Sequence, residues 1–259
     1  MVRPFFKILV NPSFGGQPNA AELLQLNKDA VICSRPYTNS FDGEDSLIDW
    51  SNPDLYLIGW NQAEKRIAPF LNAQHGPSHL WEIICEPGFG PGTASFWQGA
   101  LDWADQHHTP EYPIGLCLFN FSVGNPPLEL WKQPDIVVII DRIHQSHHAI
   151  GLDQYTIPDG ADGENGAWDS PDFMLRHEQV VAQLPENLRD VRIFLLEYGI
   201  VNGKKYGADK MIAGWELWLS KNEHCSGAAA YYGGNSGADT DSVLDNNLDA
   251  MKAFWLKAR

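Results

Sequence analysis

Two glutamates in this 259-residue chain are the residues best placed to do chemistry. Glu86 closes the run "HLWEIICEP" and Glu197 closes "VRIFLLEYG". Each follows mostly apolar residues, and each precedes a residue that breaks regular structure, Pro87 or Gly199. A carboxylate at the end of a buried run is costly unless it faces water, a partner or a ligand. Two carboxyls converging on one mouth suit cleavage of a glycosidic bond. One protonates the leaving oxygen while the other attacks or activates water. Their surroundings must then keep one protonated and the other ionised near neutral pH.

The elements that must position them follow from the pattern of apolar residues. Short β-rich runs alternate with longer amphipathic ones, as in parallel α/β folds. The sequence predicts strands over 5–11, 30–35, 55–59, 80–86, 114–121, 149–155, 192–198 and 227–233. Helical segments are expected over 19–26, 44–50, 63–73, 93–106, 128–144, 173–188, 208–219 and 242–256. Eight strands alternating with eight helices over about 250 residues indicate a (β/α)8 TIM barrel. No linker or composition shift marks a second domain, so residues 1–259 read as one barrel of catalytic type. A doubly wound sheet would favour a GxGxxG loop early in the chain, and "NPSFGG" lacks that spacing. Barrels carry their sites at the C-terminal ends of the strands, while the opposite face serves stability. Glu86 and Glu197 end the fourth and seventh expected strands and so open onto the same mouth.

The same rule discounts the histidines. His144, His147 and His148 in "HQSHH" resemble a metal cluster, but they precede the sixth strand and fall on the stability face. His75, His79, His107, His108 and His224 also precede strands, leaving His177 near the start of a helix. Cys33, Cys85, Cys117 and Cys225 show no CxxC spacing and read as reduced, mostly buried thiols. The acidic loop 158–172 offers Asp159, Asp162, Glu164 and Asp169 as hard oxygen ligands, without the spacing of an EF-hand. No cofactor and no metal are expected. A formal charge of −15 argues against nucleic acid and anionic membrane surfaces and is compatible with a neutral carbohydrate substrate. No apolar run reaches the roughly 18 residues of a membrane helix, and the N-terminus lacks a signal-peptide cleavage site. The expected compartment is cytoplasmic or that of a processed secreted form.

At this point the motifs resemble those of the clan A glycoside hydrolases. "WEIICEP" is similar to their "NEP" signature at the end of strand four, and "LLEYGI" to their "TEFG" segment at the end of strand seven. "IGLCLFNFSVGNPPLELW", "IGLDQYTIP" and "GAAAYYGG" are similar to their fifth, sixth and eighth strands. The match runs from about Leu80 to the end. The resemblance implies a retaining β-glycosidase with Glu86 as general acid/base and Glu197 as nucleophile. It further implies that Tyr155 hydrogen-bonds the nucleophile and that Arg35 helps keep it ionised. Cys85 stands where the family has an asparagine that binds the sugar 2-hydroxyl, and Asp153 where related sequences have histidine.

Sugar sites also need aromatic platforms and amide groups. Trp60, after the third expected strand, is the expected stacking residue, and Trp168, in the acidic loop, is expected to close over a ligand. Asn11, Asn120 and Asn235, near the ends of the first, fifth and eighth strands, are the expected polar ligands, with Cys85 beside them. Trp97, Trp103, Trp215, Trp218 and Trp255 recur at helical spacing and are expected to pack. The change at Cys85 leaves a second reading open: a barrel of glycosidase ancestry that binds carbohydrate without cleaving it. A metal-dependent hydrolase using the acidic loop is the third.

Overall fold

The computed structural model of the chain describes residues 5–10, 24–25, 28–36, 47–71, 79–110, 112–121, 125–156, 175–200 and 208–230. Strands and helices alternate along it. The strands are β1 (Phe5–Val10), β2 (Val31–Pro36), β3 (Leu80–Trp81), β4 (Cys117–Phe121), β5 (Ala149–Thr156), β6 (Ile193–Ile200) and β7 (Cys225–Ala230). The helices are α1 (Leu55–Ile67), α2 (Thr93–His107), α3 (Pro134–His144), α4 (Arg176–Gln183) and α5 (Ala208–Lys221). Every strand pairing is parallel, in two sheets ordered β1-β2-β3 and β4-β5-β6-β7. A parallel bridge between Trp81 and Leu116 joins the sheets. At the other edges β1 lies against β7, and Phe5 stacks on Phe194 of β6 with ring centroids 4.6 Å apart. The described protein is therefore mixed α/β with parallel sheets.

Seven of the expected strands appear near their predicted places, and one does not. Residues 55–59 are the first turns of α1, not a strand. The apolar run "LYLIG" misleads because it is short, and length alone separates a buried strand from a buried helix. The burial of Leu55, Gly59, Ala63, Arg66 and Ile67, at steps of three and four, shows the helical period. As a result β2 pairs directly with β3, with no strand between them. Residues 47–50, the described end of the expected helix 44–50, are not helical. The expected helix 128–144 is divided: a 3-10 turn over Leu128–Lys132 precedes α3, and Pro134 sits in the first turn of α3, where its missing N–H costs nothing. Of the expected helix 19–26 only residues 24–25 are described, and they are helical; the expected helix 242–256 lies outside the described residues.

The core has two parts. The larger lies between sheets and helices and holds Trp97, Trp103, Trp131, Trp215 and Trp218, each at most 1% exposed. The packing role expected of Trp97, Trp103, Trp215 and Trp218 is thus observed; Trp255 lies outside the described residues. The smaller part draws side chains from every described strand: Phe5, Cys33, Leu80, Cys117, Ala149, Phe194, Leu196 and Ala229. It floors the space in which the charged residues described below sit.

Helices α1 and α2 meet through two glycines. A Cβ on Gly59 would lie 1.9 Å from the Phe96 carbonyl oxygen, and one on Gly99 would lie 1.9 Å from that of Tyr56. Backbone cannot give way as a flexible side chain can. Gly59→Ala and Gly99→Ala are each expected to cost about 3 kcal/mol or more, at the upper end of overpacking penalties. Urea unfolding of the two variants checks this.

Candidate active site at the strand ends

A buried lysine organises the C-terminal ends of the strands. Lys7 of β1 shares interior parity with Phe5, and Glu82, two residues after Leu80, points to the same side. The Lys7 Nζ lies 3.0 Å from Glu82 Oε2 and 3.0 Å from Glu197 Oε1. The Glu82 side chain is fully buried, whereas that of Glu197 keeps 20% of its exposure. Burial opposes the charge on Lys7, but Glu82 and then Glu197 outweigh it and hold its proton well above the ordinary lysine value. Asn120, 0% exposed, donates its amide to Glu82 Oε1. Lysine and Glu82 thus form the buried base of the site, and Glu197 rises from it toward solvent.

Two register shifts aim these groups. Between Leu152 and Asp153 of β5, β6 carries one extra residue, so Leu196 joins the interior cluster and Glu197 reaches Lys7. Tyr198 then faces the helices, against Trp215 and Trp218. A second shift lies in β4 between Leu118 and Phe121, where Phe119 takes a left-handed φ of 68°. That extra residue turns Asn120 inward onto Glu82. Bulges re-aim side chains in this way and are frequent beside active sites.

Glu86 closes the run after β3. Strand pairing ends at Trp81, but Glu82 N–H still bonds Ser34 O at 3.0 Å, and Glu86 N–H bonds Asn120 O at 2.9 Å. The run 80–86 therefore passes from the edge of β2 to that of β4. Glu86 is exposed, with a left-handed φ of 47° that is uncommon for a residue with a side chain. Such a conformation persists only where surroundings impose it, often at functional sites. Its charge reaches Asp153 of β5, which stands opposite Glu197 in the β5–β6 register. Asp153, Glu197 and the thiol of Cys85 place their polar atoms within 4.8 Å of one another. Burial, then Glu82, push the Cys85 thiol well up, against Lys7 and Arg35, so it stays neutral.

The structure brings Glu86, Glu197, Cys85 and Arg35 to one region; the Arg35 charge acts on the Cys85 thiol. Tyr155 lies on β5 opposite Gly199, which puts its backbone one step beyond the Gln154–Tyr198 pair. Trp60 is not at a strand end: it lies on α1, packs against the core and meets the His107 ring edge-on at 6.3 Å. Its expected stacking role falls with the misread strand. Asn120 is also displaced from the expected role, because a fully buried amide committed to Glu82 presents nothing to a ligand. Asn11, Trp168, Asn235 and the acidic loop lie outside the described residues. Sequence reasoning missed Lys7 and Glu82. The signal was an ionisable residue of each sign within an apolar strand, "FFKILV" and "LWEIIC".

The opposite ends of the strands hold the histidines, and these do structural work. His79, His108 and His148 each accept a backbone N–H through Nδ1, from Ile32, Ile114 and Leu116, at 3.2, 3.0 and 2.9 Å. Asp105, His147 and His148 gather like metal ligands. However, an Nδ1 that accepts a hydrogen bond leaves the proton of a neutral His148 on Nε2, which donates it to Asp105 at 3.0 Å. Arg142 takes the other Asp105 oxygen at 2.5 Å. The His148 ring therefore offers no lone pair to a cation. His177 donates through Nδ1 to Gln154 Oε1 at 3.0 Å, and its Nε2 lies 3.2 Å from Glu178 Oε1.

This cluster sets an acid limit on stability. Burial and then the neighbouring His148 push His147 down from 6.5 to about 4, and burial lowers His148 despite Asp105. Both are neutral in the fold while the unfolded chain protonates first, so their stabilisation is complete above 6.5 and is lost as pH falls toward about 4. Urea midpoints are expected to drop across that window. His148→Asn, whose Oδ1 can replace Nδ1 as acceptor, is expected to flatten the dependence.

Comparison with known proteins adds little to this geometry. No protein-family model matches the chain, and no curated protein does. Among solved structures, a family 39 glycoside hydrolase from the gut symbiont Bacteroides cellulosilyticus WH2 superposes with a TM-score of 0.46 at 10% identity. The match covers 92% of this chain and 53% of that one, so the chain spans about half the length of that protein. XacCel5A, solved in complex with cellopentaose, gives 0.44 at 13% identity over 95% and 84%. Similarity this low leaves the functional reading to the site itself.

Proposed function

We propose that the chain is a retaining glycoside hydrolase acting on a β-linked glycan or glycoside, with Glu197 as nucleophile and Glu86 as general acid/base. The reading includes closure of the two parallel sheets into one barrel of TIM type around the interior cluster. The observation that carries it is the set of carboxyls at one end of the strands: Glu86 is held by its N–H on Asn120 O at 2.9 Å, Asn120 donates its amide to Glu82, and Lys7 joins Glu82 to Glu197. An ammonium 3.0 Å from Glu197 Oε1 stabilises the anion that a nucleophile has to be. Glu86, exposed at the rim, is able to exchange a proton with leaving group and water in turn. In the first step Glu197 attacks the anomeric carbon while Glu86 protonates the departing oxygen. In the second, Glu86 takes a proton from water, which displaces Glu197. Attack from opposite sides twice returns the original anomeric configuration.

A panel of aryl β-glycosides and β-linked oligosaccharides, followed by proton NMR, tests this reading. The β-anomer is expected as first product; the α-anomer would sink the mechanism. The neutral Cys85 thiol beside Glu197 favours one second reading, a carbohydrate-binding barrel without turnover. Calorimetric binding across the panel, with no product from any member, would select it.

A further inference from the structure

Asp153 is 2% exposed, and neither of its carboxyl oxygens has a hydrogen-bond partner among the described residues. A buried carboxyl in that condition calls for a function, since an unsatisfied polar group costs stability. Its surroundings are specific. The β5–β6 register sets it opposite Glu197, and the two carboxyls lie within 4.8 Å of each other and of Cys85. Lys7 of β1 bonds Glu197 and Glu82, and the charges of Glu82 and Glu86 also reach Asp153. Two carboxylates side by side do not both ionise when one of them is 2% exposed. Lys7 decides which one does, because its hydrogen bonds go to Glu197 and Glu82 while those of Asp153 are unmade. The proton of the pair belongs to Asp153, the buried member without a hydrogen bond. Burial, and then the Glu197 charge, accordingly hold Asp153 well above the usual carboxylate value, against the pull of Lys7.

We propose that Asp153 is a positioning residue for Glu197, turning its carboxyl proton toward the oxygen that Lys7 does not hold. This rests on Glu197 being the nucleophile. Lys7 and Asp153 then grip the carboxylate from β1 and β5, fixing its rotation so that one lone pair faces the mouth. Because Asp153 has no exposed oxygen, it acts through Glu197 and does not touch a substrate.

Two measurements test this. In protein carrying carbon-13 at aspartate side-chain carboxyls, one resonance is expected to have the shift of a neutral acid at pH 7 and to vanish in Asp153→Asn. An Asp153 ionised at pH 7 overturns the proposal, whether or not any glycoside is cleaved. In the rate assay, Asp153→Asn keeps a donor and is expected to keep the acid limb of kcat/KM in place. Asp153→Ala removes the donor; its kcat is expected to fall about 10- to 100-fold, with KM little changed, as for loss of a hydrogen bond to a charged group. The Asp153→Ala acid limb is expected to move to higher pH. Equal losses in both variants with an unmoved acid limb would make Asp153 merely structural. Absence of turnover in the wild type would reject the glycosidase reading and leave the carboxyl resonance to decide this one.

Discussion

Glu197→Gln is expected to lower kcat/KM by about 10⁴-fold or more, the scale seen when the nucleophile of a covalent mechanism is removed. The amide is close to isosteric, so packing around Lys7 changes little, while its nitrogen cannot attack. Glu86→Gln is expected to lose about 10²- to 10⁴-fold, the range of general acid–base catalysis. The two losses should differ in kind as well as size. For Glu86→Gln the deficit is expected to shrink with leaving groups that depart without a proton, such as dinitrophenolate, and azide should accelerate the second step. For Glu197→Gln an activated leaving group should not help, because the bond to carbon cannot form. Initial rates on a paired set of aryl glycosides, with circular dichroism to confirm folding, make the comparison. Equal rates for wild type and either variant would remove that residue from the mechanism.

Lys7→Met is expected to destabilise the protein by about 3–5 kcal/mol, the cost of breaking a buried pair from one side. Glu82 has a fully buried side chain, and among the described residues Lys7 is a cation it contacts, at 3.0 Å. The Lys7 side chain keeps 10% of its exposure, so water does little to screen the pair. The double variant Lys7→Met with Glu82→Gln is expected to recover much of the loss, since of the two carboxyls bonded to Lys7 it leaves only Glu197, whose side chain keeps 20% of its exposure. A loss below about 1 kcal/mol in Lys7→Met would instead mark the contact as an ordinary surface ion pair. Denaturant titrations separate the outcomes.

Much of the architecture was legible in the chain because most strand runs were bounded by turn residues and most helices showed their period. Ile136, Ile139, Ile140 and Ile143 of α3, all buried, illustrate how plainly the helical spacing reads. The failure at Leu55 has a physical cause: five apolar residues fit either element, and what decides is the contact of Gly59 with Gly99's helix, which sequence spacing does not reveal. The candidate site was legible at its rim and hidden at its base. Glu86 and Glu197 announce themselves by ending apolar runs. Lys7 and Glu82 lie within such runs, 75 residues apart, and only the fold joins them. Strict alternation would also turn Asn120 away from the interior; the extra residue in β4, which no composition signals, brings it in. The histidine trio "HQSHH" shows the reverse case. Its spacing suggests metal, yet its place before a strand foretold a structural role: His148 accepts the Leu116 amide, His147 meets the Ile114 carbonyl and His144 pairs with Asp190.

The most direct test of the retaining mechanism is covalent capture of Glu197. The protein is incubated with a panel of 2-deoxy-2-fluoro β-glycosides bearing activated leaving groups, and its peptides are then mapped by mass spectrometry. One glycosyl adduct is expected on the peptide containing Glu197, formed also in Glu86→Gln when the leaving group needs no proton, and absent in Glu197→Gln. An adduct on any other carboxylate, or turnover of the parent glycosides with no adduct from any member of the panel, would contradict it.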